Sequence, residues 1–133
     1  MKPPSRHDKN QGMNWIRPEK RLAIYLRDSL ACCYCGESVE HDAKLTLDHP
    51  KPYERGGTNS ATNLITCCHR CNSVRGSPPW RKFAGHVANY INHGVRPEAI
   101  IAHVRRTVRR ALDVRAAKQF ISERGGFSSA LRG

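Results

Sequence analysis

Apolar and polar positions change period several times along this chain, and each change marks an element. Residues 1–14 have almost nothing to bury, with Pro3, Pro4, Asn10, Gln11 and Gly12 among polar neighbours, and residues 1–16 are expected to form a flexible arm. From Pro18, a favourable first-turn residue, to Leu30 the spacing of Leu22, Tyr25, Leu26 and Leu30 predicts a short amphipathic helix. The period then drops to two. Leu45-Thr46-Leu47-Asp48-His49 reads as a strand stopped by Pro50 and Pro52, and Leu64-Ile65-Thr66 as a second strand. Between them runs Arg55-Gly56-Gly57-Thr58-Asn59-Ser60, a loop rich in turn formers. A short helix is expected from near Cys68 to Gly76. After the junction Pro78-Pro79-Trp80, the positions Phe83, Val87, Tyr90 and Ile91 describe a helical stripe ending at Gly94. Pro97 opens a longer helix to about Glu123, along which Ile101, Val104, Val108, Ala111 or Leu112 and Phe120 keep helical spacing. The expected class is α+β: an N-terminal helix, a small strand-strand-helix core and a C-terminal helical extension.

Length and charge change that picture in one respect, the partner. A chain of 133 residues has room for one compact domain plus an extension, and so small a core usually needs a metal or disulfides. Lys and Arg number 23 against 11 Asp and Glu, a net charge of +12 that makes a polyanion the natural partner. The charge is uneven: residues 1–74 carry a balance of +3 and residues 75–133 a balance of +9. The expected division is an arm (1–16), a core domain (17–77) and a basic helical extension (78–133). No apolar run approaches the about 20 residues of a membrane-spanning helix, and Met1 to Asn14 has no signal-peptide core, so no membrane partner and a cytoplasmic location are expected. Thiols there stay reduced, which favours reading six clustered cysteines as metal ligands before disulfides.

Cys32, Cys35, Cys68 and Cys71 form two C-x-x-C pairs with 32 residues between them, a tetrahedral thiolate set for Zn²⁺. A redox C-x-x-C would be expected beside a βαβ pattern, and none is visible. Cys33 and Cys67 break the two-residue gap and are read as packed or exposed thiols.

Between the pairs stand Leu47-Asp48-His49, Gly56-Gly57-Thr58-Asn59, Asn63-Leu64 and Cys68-His69-Arg70-Cys71-Asn72-Ser73-Val74-Arg75-Gly76, with Arg27-Asp28-Ser29 and Cys32-Cys33-Tyr34-Cys35-Gly36 upstream. Taken together these closely resemble the HNH endonuclease family in its C-x-x-C-containing form, over roughly residues 17–76. The resemblance implies a zinc-braced ββα-metal (His-Me finger) fold and metal-dependent hydrolysis of DNA phosphodiester bonds. It also implies a role at each matching position. His49 corresponds to the general base that takes a proton from the attacking water, a task suited to imidazole, which titrates near neutrality. Asp48 and Asn72 correspond to the protein ligands of one catalytic divalent ion, and Asn63 to the middle Asn that pins the loop and helps to aim the histidine. The third letter is Asn72 rather than His, an H-N-N variant whose hard amide oxygen suits Mg²⁺ or Mn²⁺. His69 lies out of register for that position and is read as a surface residue or phosphate contact.

Arg55, Arg70 and Arg75 are candidate phosphate contacts around this site, Arg75 because it follows Asn72 by three residues on the expected helix. In the extension Arg105, Arg106, Arg109 and Arg110, with Arg115 and Lys118, form either a solvated face or a clamp on the DNA backbone; charges this dense repel unless a polyanion is near. A second reading of the whole chain is a zinc-stabilised DNA-binding or packaging module that has lost catalysis. Biological pathway stays open, as does the choice between monomer and homodimer, and a prokaryotic or phage source suits the family.

Overall fold

The computed structural model describes residues 15–76, 78–92 and 94–132. Residues 1–14 of the expected arm, which runs to residue 16, therefore lie outside the described residues. Its last two positions do not behave as an arm: Ile16 is buried in the core and Trp15 is partly buried beside it.

Helix α1 runs Pro18–Arg27, with Pro18 in the first turn where its missing N–H costs nothing. It stops three residues before the expected Leu30. Ser29 and Leu30 adopt left-handed backbone angles (φ 63° and 54°), and the Leu30 N–H closes back on the Tyr25 carbonyl at 2.7 Å. The stripe also differs from expectation. Leu26 is 38% exposed while Ala23 and Ile24 are buried with Leu22 and Tyr25. The reason is that α1 is covered on two sides. Ile24 and Tyr25 pack with Leu47 and Leu64, whereas Leu22 and Ala23 pack with Ala117 and Ala130 from the far end of the chain.

The two strands are β1, Leu45–Asp48, and β2, Ile65–Cys68, paired antiparallel with Leu45 opposite Cys68 and Asp48 opposite Ile65. All four residues of β2, the polar Thr66 included, are buried, so the strand is covered on both faces. Helix α2, His69–Arg75, follows directly and packs against both strands. Strand, strand and helix thus form the expected α+β, ββα core, with Gly76 ending the helix at φ 58°.

Helix α3, Trp80–His86, continues into a wider π turn at Val87–Ile91, and helix α4 spans Pro97–Thr107. Phe83, Ala84, Val87, Ala88, Ile100 and Val104 form one cluster with the ligand-spaced cysteines and Tyr34. Tyr90 of the expected stripe is instead exposed, because the π turn rotates it out. The long helix expected from Pro97 to Glu123 is two helices. It breaks after Thr107, and α5, Val114–Arg124, starts afresh where the Asp113 carboxylate accepts the Ala116 N–H at 2.9 Å. The break turns Ala117 onto α1, where it is fully buried. A last helix α6, Phe127–Arg132, adds Ala130 to the same contact. Among the described residues no helix is long and apolar enough to cross a membrane.

Candidate metal centre and active site

The Sγ atoms of Cys32, Cys35, Cys68 and Cys71 lie within 4.8 Å of one another, and all four residues are buried. Each pair forms a tight turn. The Cys35 N–H points at the Cys32 sulfur (3.5 Å) and the Cys71 N–H at the Cys68 sulfur (3.4 Å), as the two-residue gap predicts. Gly36, at φ 85°, closes the first turn, and Cys68 serves as N-cap of α2. The fit to zinc can be tested by size. Four sulfurs about 2.3 Å from a tetrahedral ion stand about 3.8 Å apart, and Cys35 and Cys68 are separated by 3.6 Å. The four thiols are also coupled to one another: those of Cys32, Cys68 and Cys71 hold Cys35 well below the ordinary thiol range, while they themselves are pushed up. Were all four to ionise at such distances, as zinc ligation requires, a cation among them would have to offset their charge. The surplus thiols, Cys33 and Cys67, are buried and free, and burial pushes the Cys33 thiol up.

Asp48 ends β1 and is buried. Its Oδ2 accepts the Tyr34 hydroxyl at 2.7 Å and faces the Arg75 Nε at 3.4 Å, an ion pair without hydrogen-bond geometry. Burial and the Asp48 charge push the Tyr34 phenol well up, so it remains a donor. Tyr34 lies within the first cysteine turn and thereby links that turn to the end of β1.

His49 follows β1 and is partly buried. Its Nε2 lies 2.8 Å from Oδ1 of Asn59, and its ring sits 5.1 Å from Trp15 and 6.2 Å from Tyr53. Asn63 bridges two parts of the loop that follows β1. Its side chain accepts the Lys51 N–H at 2.9 Å and donates to the carbonyls of Lys51 (3.0 Å) and Thr58 (2.9 Å). Both ends of the segment from Lys51 to Thr58 are thus fastened by one amide. Gly57 allows the close approach: a Cβ there would meet the Lys51 carbonyl oxygen at 1.9 Å. Asn72 lies partly buried in the middle of α2.

The arginines divide. Arg55 and Arg70 are exposed, as are Arg105 and Arg106 at the end of α4 and Arg109 and Arg110 in the break behind it. Arg75 departs from its expectation as a phosphate contact. It is 3% exposed, donates to the carbonyls of Gly76 and Pro78, and lies over the Phe83 ring. The same helical spacing that puts it on the Asn72 face puts it against β1, where Asp48 compensates its charge. His69 is exposed at the start of α2.

Two features escaped the sequence reading. Asn59 was visible only as a turn former, since nothing local says which side chain of that loop reaches the histidine. Arg27 and Asp28 were visible only through the family resemblance. They form a buried pair (Nε to Oδ1, 2.7 Å) that ties α1 to β2: Arg27 donates to the carbonyls of Ala61 and Leu64, and Asp28 accepts the Thr66 N–H at 2.8 Å.

Residues 32–77 match the family model described as HNH endonuclease. Over 59 residues the chain is 36% identical to the CRISPR-associated endonuclease Cas9 of Corynebacterium diphtheriae, a stretch that covers 44% of this chain and 5% of that protein. No solved structure matches the chain. Strand-strand-helix order, the four-cysteine cluster and the family match agree: residues 32–77 match an HNH endonuclease domain, and the four cysteines fit its zinc-binding form.

Proposed function

We propose that the protein is a metal-dependent DNA endonuclease that hydrolyses phosphodiester bonds with His49 as general base. One observation carries this reading: the imidazole at the end of β1 is held by Asn59 at 2.8 Å, next to a carboxylate that faces α2. A base must be aimed before it can be useful, and this one is. Asp48 and Asn72 would hold the catalytic divalent ion. Their donor set, one carboxylate and one amide oxygen, suits Mg²⁺ or Mn²⁺. Arg75 shares a helix face with Asn72 and reaches Asp48, which supports placing Asn72 toward the same strand end. When bound, such an ion supplies charge stabilisation for the phosphate and the leaving oxygen. Tyr34 and Arg75 orient the Asp48 carboxylate, and Asn63 keeps the intervening loop closed. Zn²⁺ at the four cysteines would serve as structural support for the core beneath.

DNA follows from the family and from charge. The exposed arginines, Arg55 and Arg70 near the core and Arg105, Arg106, Arg109 and Arg110 around the end of α4, suit backbone phosphates. The test is relaxation of supercoiled plasmid by the full chain with Mg²⁺ or Mn²⁺, with and without chelator. His49→Ala is expected to lower the rate by about 10²- to 10⁴-fold without changing DNA retention in a mobility-shift assay. Equal rates for the two proteins would reject the catalytic reading in favour of a binding module.

A further inference from the structure

Imidazole has two nitrogens, and a neutral ring can accept a proton only at the one without hydrogen. Which nitrogen that is depends on the hydrogen bond made by the other. Here Nε2 meets the side-chain oxygen of Asn59 at 2.8 Å. A carbonyl oxygen is an acceptor only, so this contact requires hydrogen on Nε2 and leaves the lone pair on Nδ1. We propose that Asn59 is the positioning residue of this site, fixing His49 in its Nε2–H tautomer so that Nδ1 is the basic nitrogen. The inference rests on His49 being the general base.

Asn59 is itself held from several directions, as a positioning group must be. Its backbone carbonyl accepts Lys20 Nζ from α1 at 2.7 Å. On one side, the Thr58 carbonyl is fastened by Asn63. On the other, the Ser60 hydroxyl caps the turn at Ala61–Asn63 by accepting the Thr62 N–H at 3.3 Å. Helix α1, the glycine loop and the short turn before β2 therefore fix the backbone from which the Asn59 side-chain amide projects. Rotation of that amide by half a turn would offer an N–H to Nε2, force the hydrogen onto Nδ1 and remove the base. Among the described residues no hydrogen bond occupies Nδ1, which leaves that nitrogen for water.

The experiment is a long-range ¹H–¹⁵N spectrum of histidine-labelled, zinc-loaded full-length protein at a pH where His49 is neutral, recorded beside plasmid kinetics with Mg²⁺. Wild-type His49 is expected as the Nε2–H tautomer. Asn59→Ala is expected to mix the tautomers and lower kcat by about ten- to a hundredfold, within the contribution of a general base, while KM stays unchanged. Asn59→Asp retains an acceptor oxygen and is expected to restore the tautomer and most of kcat. A wild-type Nδ1–H tautomer would overturn the proposal without recourse to any variant. So would an Asn59→Ala protein with wild-type tautomer and kcat. A wild-type protein that shows the Nε2–H tautomer but cuts no DNA would reject the nuclease reading, and the kinetics report that failure separately.

Discussion

Replacement of Asp28 by alanine should be among the most damaging single changes in this protein. The Asp28 and Arg27 side chains are 0% and 2% exposed, so water cannot take over from the missing carboxylate. Arg27 would keep its bonds to the Ala61 and Leu64 carbonyls but lose both contacts to Asp28, at 2.7 and 3.2 Å. The Thr66 N–H would lose its acceptor in the middle of β2. Stranding one member of a buried pair typically costs about 3–5 kcal/mol, and an orphaned buried N–H about 1–3 kcal/mol. The two overlap, because the same carboxylate serves both, and the expected loss is about 4–5 kcal/mol. Against a total of about 5–15 kcal/mol for a domain, that is enough to populate the unfolded state. Urea denaturation followed by far-ultraviolet circular dichroism, with zinc in excess, measures it. Asp28→Asn, which keeps an oxygen for Thr66, should fall between Asp28→Ala and wild type. The double variant Arg27→Met, Asp28→Leu should be more stable than Asp28→Ala, since it strands no charge. A loss below about 1 kcal/mol for Asp28→Ala, the value of a solvent-screened pair, would refute the claim that this pair is buried and joins α1 to β2.

Two further outcomes are expected. Gly57→Ala places a methyl group 1.9 Å from the Lys51 carbonyl oxygen, and the loop carrying Asn59 must open to admit it. Thermal melting should register a cost of about 2 kcal/mol or more, and an unchanged midpoint would show that the loop is not seated as described. Removal of metal by a strong chelator, or Cys71→Ser, should abolish cooperative melting, because the four cysteines lie in one cluster with Phe83, Ile100 and Val104. Native mass spectrometry should find one zinc per chain at this cluster, and a metal-free chain that melts like the loaded one would exclude a structural role.

Much of the site was legible in the sequence because its signals are local. A two-residue gap between cysteines leaves little choice of geometry, and the pairs at Cys32/Cys35 and Cys68/Cys71 come together as their spacing implies. Pro18 and Pro97 open helices because a fixed φ and a missing N–H suit the first turn. Asn63 bridges Lys51 and Thr58, a loop closure contained within a dozen residues. The strand order and the helix following it are equally short-range.

Tertiary structure decided what depends on elements distant in sequence. Periodicity shows one apolar face, so α1 read as a one-sided helix with Leu26 inside; the return of α5 and α6 buries Leu22 and Ala23 on a second side and leaves Leu26 out. The same return explains the break after Thr107, where helical spacing continues through Val108 but the chain must turn to bring Ala117 onto α1. Arg75 illustrates the point for charge. Its position on the Asn72 face followed from the helical repeat, but only the packing of α2 on β1 determined that this face looks inward at Asp48 rather than outward at solvent. Sequence alone determined which residues are candidates for chemistry and metal binding, through backbone and ligand geometry that operates over a few residues. Burial and the partner of each functional group, Asn59 for His49 and Asp48 for Arg75, were settled by the assembled fold, because desolvation and aim depend on what packs on the other side.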